Sequence, residues 1–288
     1  MTDASTKKTR LFGRDRFALR KSPLFGVGVV LLFTAGIVLL PGEKLGKLFM
    51  GEGGANARNL GNAIFRLAGF VLLTLLALDL GFRIHGFSGR TRGFLLSLPF
   101  LAVAVNNAPI IGLADGSVWV HATASNYAWF GLYCVSVGLL EETVFRGIIL
   151  PLLLRVFPPT RKGAFWAVIS SSALFGALHL INLLSSDPLS VLAQVGYSFL
   201  IGAMCAVVML LCRNVFACAF LHAVYNFGGT VAAEFGNGQI WGAATVALTV
   251  TVGVAAAAYG VFALLKKVRL AEVRAMHESP RDEQSTCA

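Results

Sequence analysis

NYAWFGLYCVSVGLLEETVFRGIILPLL, residues 126–153, reads as a helix built for an apolar surrounding that nonetheless carries Glu141, Glu142 and Arg146 near its middle. A bilayer core about 30 Å thick needs roughly 20 helical residues to cross it. This run is long enough. A charge at the centre of such a helix costs about 2.5–3.5 kcal/mol on insertion scales. A cost of that size marks the three ionised residues as candidates for chemistry.

Outward from this run, the chain has the same character nearly throughout. Of its 288 residues, 56% are hydrophobic and 13% charged, against about 25% charged in an average soluble domain. Mean hydropathy is +0.74. Continuous apolar runs fall near 24–40, 60–82, 94–113, 126–153, 163–183, 189–211, 214–233 and 240–265. An outer-membrane barrel would instead alternate over segments of about ten residues. The expected fold is therefore all-α: a polytopic membrane bundle of about eight transmembrane helices. A basic tail at 1–22 would precede a bundle at 23–265, and a charged, disordered tail would follow at 266–288.

The net charge of +10 belongs to topology rather than to nucleic-acid binding, because the basic residues sit between the apolar runs. With both termini cytoplasmic, nineteen Lys and Arg fall on the inside and only Lys44, Lys47 and Arg58 outside, as the positive-inside rule requires. Arg66, near the start of the second run, is expected to snorkel to the interface. Five cysteines lack CxxC spacing and read as buried free thiols rather than zinc ligands or disulfides.

Two further runs carry polar groups. Phe175 precedes His179 by one turn, and His222 precedes Asn226 by one turn. Glu142 and Arg146 share a helix face and can pair, which leaves Glu141 without a local cation. The basic turn at 155–162 makes the fourth and fifth helices a hairpin that sets Glu141 and His179 at a common depth. Counted from Arg213, His222 and Asn226 lie shallower. A carboxylate with an imidazole can hold and deprotonate water, and a second His with an amide can donate to an oxyanion. The donors Glu141, His179 and His222 also suit zinc, although HExxH is absent. Intramembrane Glu and His equally mark ion paths, so a transporter or proton relay is an alternative reading.

Taken in order, Glu141-Glu142 with Arg146, Phe175 with His179, and His222 with Asn226 closely resemble the motifs of the CPBP intramembrane proteases, also called the type II CAAX prenyl endopeptidase or Abi family. The resemblance covers about residues 125–235. It implies an intramembrane endopeptidase, a peptide hydrolase acting on a membrane-embedded peptide or protein that is CAAX-like or prenylated. Glu141 would be the catalytic glutamate and His179 its partner in activating water. His222 and Asn226 would stabilise the oxyanion, with Glu142, Arg146 and Phe175 in support. No cofactor would be required, zinc being the alternative. The lipid bilayer would be the medium, no nucleic acid a partner, and the bacterial inner membrane the setting. A catalytically silent adaptor or bacteriocin-immunity protein of the same fold is the competing reading within the family.

Overall fold

A computed structural model describes residues 22–82, 84–86, 91–237 and 242–277. All eight apolar runs are helical in it. The helices are α1 (Pro23–Val38), α2 (Gly42–Met50), α3 (Ala55–Asp79), α4 (Thr91–Asn106), α5 (Ile110–Asp115), α6 (Ala124–Glu142), α7 (Leu150–Val156), α8 (Arg161–Leu178), α9 (Pro188–Cys212), α10 (Val215–Phe235), α11 (Ala243–Phe262) and α12 (Leu270–His277). Five helices among the described residues are long and apolar enough to cross a membrane. They become six when α1 and α2, bent by 46° about Pro41-Gly42, count as one span. The protein is thus an all-α integral membrane bundle. The helix carrying the two glutamates is not among the five, because its charges offset its apolar residues.

Local chemistry sets the helix starts. Thr123 and Asn126 form a reciprocal capping box, with Asn126 N–H on Thr123 Oγ1 at 3.2 Å and Thr123 N–H on Asn126 Oδ1 at 2.9 Å. Thr160, Asp187 and Asn214 accept from the backbone N–H of Gly163, Ser190 and Ala217. Each cap satisfies a donor that the first turn leaves without a partner. Pro188 follows Asp187 at the first helical position, where its fixed φ suits the helix and no N–H is needed.

The 126–153 run is the centre of the bundle. Helix α6 continues without a break through a π-helical segment, Thr143–Ile149, into α7. Every residue from Leu140 to Leu154 is buried, so the helix is enclosed on all sides rather than amphipathic. It packs against α3 and α10 on its first half and against α1, α8 and α12 beyond the π segment. Gly138 allows the approach of α10: a Cβ there would stand 2.6 Å from the Ala219 carbonyl oxygen. A short antiparallel ladder, β1 (Trp119–Val120) with β2 (Gly236–Asn237), ties the entry of α6 to the exit of α10.

Two expectations are corrected. The segment beyond residue 266 was expected to be disordered, yet α12 follows it. Val273 is buried, and Arg161 Nη1 donates to the Val268 carbonyl at 3.0 Å. The turn from α9 to α10 was taken as a surface landmark, but Arg213 and Asn214 are themselves buried. Arg213 reverses the chain in the left-handed region at φ 52°. Residues 84–86 fold over it, with Gly86 N–H on the Arg213 carbonyl at 2.9 Å and Val215 N–H on the Ile84 carbonyl at 2.8 Å. Residues 1–21, Arg83, Arg90 and the chain end after 277, which carry many of the basic residues used for orientation, lie outside the described residues.

Widening residue 138 should separate α6 from α10. Gly138→Val is expected to lower stability by about 1–3 kcal/mol, the usual cost of forcing extra methyl groups into a packed contact. Thermal unfolding in detergent micelles measures it, and Gly131→Ala, whose nearest neighbour is 4.0 Å away, should be nearly neutral.

Candidate active site

The buried start of α10 explains how the polar groups of three helices converge. His222 lies two turns beyond a turn that is already inside the bundle, so it reaches the level of the glutamates. The shallower placement expected for His222 and Asn226 is therefore overturned: depth was counted from a turn that does not reach the surface. Glu141, His179, His222 and Asn226 all line one cavity of about 220 Å³.

Glu142 is the anchor of the arrangement. It is fully buried, as is Arg146, whose Nε stands 3.1 Å from Glu142 Oε2. The other carboxylate oxygen, Oε1, is 2.7 Å from His222 Nδ1. A carboxylate oxygen accepts, so Nδ1–H donates and the imidazole is oriented with Nε2 pointing away from Glu142. Nε2 stands 3.7 Å from Glu141 Oε2, which is too long for a direct hydrogen bond and suits a proton relayed through water. Thus His222 spans the two glutamates, one by contact and one across a gap that opens on the cavity.

Arg146 is held from three sides. Its Nη2 donates to the Gly202 carbonyl at 2.9 Å, and its guanidinium lies 4.7 Å from the centroid of the Phe175 ring. Gly202 makes room for this: a Cβ there would meet Arg146 Nη2 at 3.2 Å and Phe175 Cδ1 at 3.1 Å. The π segment widens the turn on which Arg146 sits, and such segments are frequent at functional sites.

Phe175, expected in a supporting place, packs against the site itself. Its ring meets His179 edge-on at 5.1 Å and His222 at 5.7 Å between centroids. Its carbonyl receives a hydrogen bond from His179 Nδ1 at 2.9 Å. Because a carbonyl only accepts, Nδ1 carries a proton, and in the neutral form of the ring the lone pair then falls on Nε2. His179 sits where α8 tightens into a 3₁₀ segment, His179–Leu184, which completes the wall of the cavity with Asn182. Asn182 Nδ2 donates to Gln194 Oε1 at 2.8 Å, and both line the cavity.

The sequence missed several lining residues: Asn182, Gln194, Tyr133, Tyr197 and Tyr225. Only their polarity within apolar runs pointed to them, and nothing in their spacing linked them to the motifs. Arg66 was misplaced. It is buried at 8% exposure and lines the cavity instead of snorkelling to an interface, because α3 packs along α6 and turns this face inward. Its guanidinium lies 5.1 Å from the centroid of the Tyr133 ring.

Metal ligation was the other use considered for Glu141, His179 and His222. Among the described residues no three His, Cys, Asp or Glu side chains are grouped to hold a metal ion. His222 Nδ1 and His179 Nδ1 are committed to Glu142 and to a backbone carbonyl. That leaves the Nε2 of each ring as its remaining ligating atom. Cys134, Cys205, Cys212 and Cys218 are buried thiols outside any disulfide, as expected of small apolar residues.

Residues 123–228 match the family model described as Rce1-like, the type II CAAX prenyl endopeptidases. No curated protein and no solved structure matches the chain.

The buried pair gives a direct test of this geometry. Glu142→Leu strands the Arg146 charge and should cost about 3–5 kcal/mol, whereas Glu142→Leu combined with Arg146→Met should recover much of the loss. Thermal unfolding of the two purified variants decides it, and equal destabilisation by both would contradict the pairing.

Proposed function

We propose, from the match of residues 123–228 to the type II CAAX prenyl endopeptidase family model, that the chain is an intramembrane endopeptidase in which Glu141 and His179 activate water for attack on a peptide carbonyl. One observation carries this reading: Glu141, His179, His222 and Asn226, drawn from three separate motifs, line a single cavity inside an apolar bundle. Peptide hydrolysis needs a base for the water, donors for the oxyanion, and a proton for the leaving amine.

Each requirement has a candidate. Water bound between the Glu141 carboxylate and the free Nε2 of His179 loses its proton to Glu141 as its oxygen bonds to the carbonyl carbon. The carbonyl oxygen takes up the negative charge and accepts from Asn226 and from His222 Nε2–H. Collapse breaks the C–N bond, and the proton held by Glu141 passes to the leaving nitrogen. His222 can donate from Nε2 only as an imidazolium, since its Nδ1–H is already given to Glu142. Two carboxylates stand beside its ring nitrogens, and Arg146 pairs with the second of them. Glu142 and Arg146 thus support the reaction by fixing His222, and no metal takes part.

The proposed substrate is a membrane-associated peptide or protein, CAAX-like or prenylated. The eight helical runs would give eight spans with both termini cytoplasmic, in a bacterial inner membrane.

The decisive experiment compares protein termini in membranes containing the wild type or Glu141→Gln. New termini are expected only with the wild type, and they name the scissile bond. With the purified proteins, Glu141→Gln and His179→Ala should each lower cleavage by about 10²–10⁴-fold while melting temperatures stay near that of the wild type. Cleavage retained by either variant would refute the mechanism. An unchanged set of termini, with a cellular phenotype that survives Glu141→Gln, would favour the adaptor reading instead.

A further inference from the structure

Arg66 is a cation in the cavity that the hydrolytic machinery does not use. The glutamates Glu141 and Glu142 have Arg146 and His222 against them. Glu234, an acid beside α3, is engaged by Arg58 and Asn59. Arg66 has no carboxylate among these contacts. One of its N–H groups donates to the Asn62 carbonyl at 3.3 Å, and its buried Nε has no hydrogen-bond partner. A buried guanidinium left without an anion is costly, and proteins rarely keep one unless something else supplies the charge.

Its setting shows what the anion would be. The guanidinium carbon lies 5.1 Å from the centroid of the Tyr133 ring, and a guanidinium carries its N–H groups along a planar edge. That edge matches the two oxygens of a carboxylate. Glu141 lines the same cavity as Arg66, so an anion on Arg66 shares the chamber of the reacting bond. The amide side chains of Asn182 and Gln194 line it too, as suits a peptide with donors and acceptors of its own.

We propose that Arg66 binds the free C-terminal carboxylate of the peptide substrate, so that the cavity accepts a chain end in preference to an internal segment. This deepens, and rests on, the peptide-hydrolase reading of the same cavity. The carboxylate neutralises the buried guanidinium and fixes the distance from the chain end to the bond presented to Glu141. Specificity then comes from counting back from the terminus, and an amidated or extended chain leaves Arg66 without its anion.

The test measures binding apart from cleavage. The full chain carrying Glu141→Gln, purified in detergent, is titrated with N-dodecanoyl-Ala-Leu-Leu ending in a free carboxylate and with the same peptide ending in an amide. The carboxylate form should bind roughly 10–100-fold more tightly, the range of a hydrogen-bonded charge. Adding Arg66→Gln should abolish the difference, and Arg66→Lys, which keeps the charge without the planar fork, should leave an intermediate preference. Equal binding of acid and amide, binding of neither, or a preference that survives Arg66→Gln would overturn the proposal.

Stability supplies an independent reading. An anchor with no internal counter-ion can be removed without breaking an ion pair, so Arg66→Met should melt at or above the wild-type temperature in the absence of peptide. A marked fall in melting temperature, with both peptides lost together, would assign Arg66 a structural role and refute the anchor. If the wild type discriminates acid from amide but cleaves nothing, the hydrolytic reading fails and the anchor stands. Cleavage without discrimination removes the anchor alone.

Discussion

A carboxylate sealed inside a membrane protein must be balanced where it stands, and Glu142 is balanced twice. Arg146 lies 3.1 Å from one oxygen and His222 2.7 Å from the other. Breaking a buried pair by removing one partner strands the remaining charge, at about 3–5 kcal/mol. That penalty makes the arrangement close to all-or-none. It fixes α10 against the central helix, orients the imidazole, and leaves Nε2 facing Glu141.

Packing around the pair serves the same end. Gly202 lets the Arg146 guanidinium reach a backbone carbonyl, and the Phe175 ring covers it while touching both histidines. One aromatic side chain therefore couples three helices. Close approach through small residues suits a bilayer, where dispersion and polar contacts take the place of the hydrophobic effect between helices. The same apolar shell keeps the cavity's electric interactions strong, since little solvent screens them.

The two histidines differ in what they can do, although they look alike in the chain. His179 gives its Nδ1–H to a backbone carbonyl and so keeps a free lone pair. His222 gives its Nδ1–H to a carboxylate and lies between two negative groups. The first environment suits an acceptor that holds the water and the second a hydrogen-bond donor to the oxyanion, and these are the complementary roles assigned to them in the proposed reaction. Environment, rather than residue type, separates the two functions.

Sequence alone determined the class of the fold and most of the polar constellation. Apolar run length is a one-dimensional property, so the eight helical segments could be read directly, and polar residues inside them stand out because lipid penalises them. The Glu142–Arg146 pair was legible too, because a four-residue spacing fixes a shared face within one helix. Only the tertiary structure decided what crosses between helices. Glu142 binding His222, the buried Arg213-Asn214 turn that brings His222 level with the glutamates, and the inward face of Arg66 all depend on helix register and rotation. Those are set by the packing of glycines, rings and loop 84–86, which no spacing along the chain records.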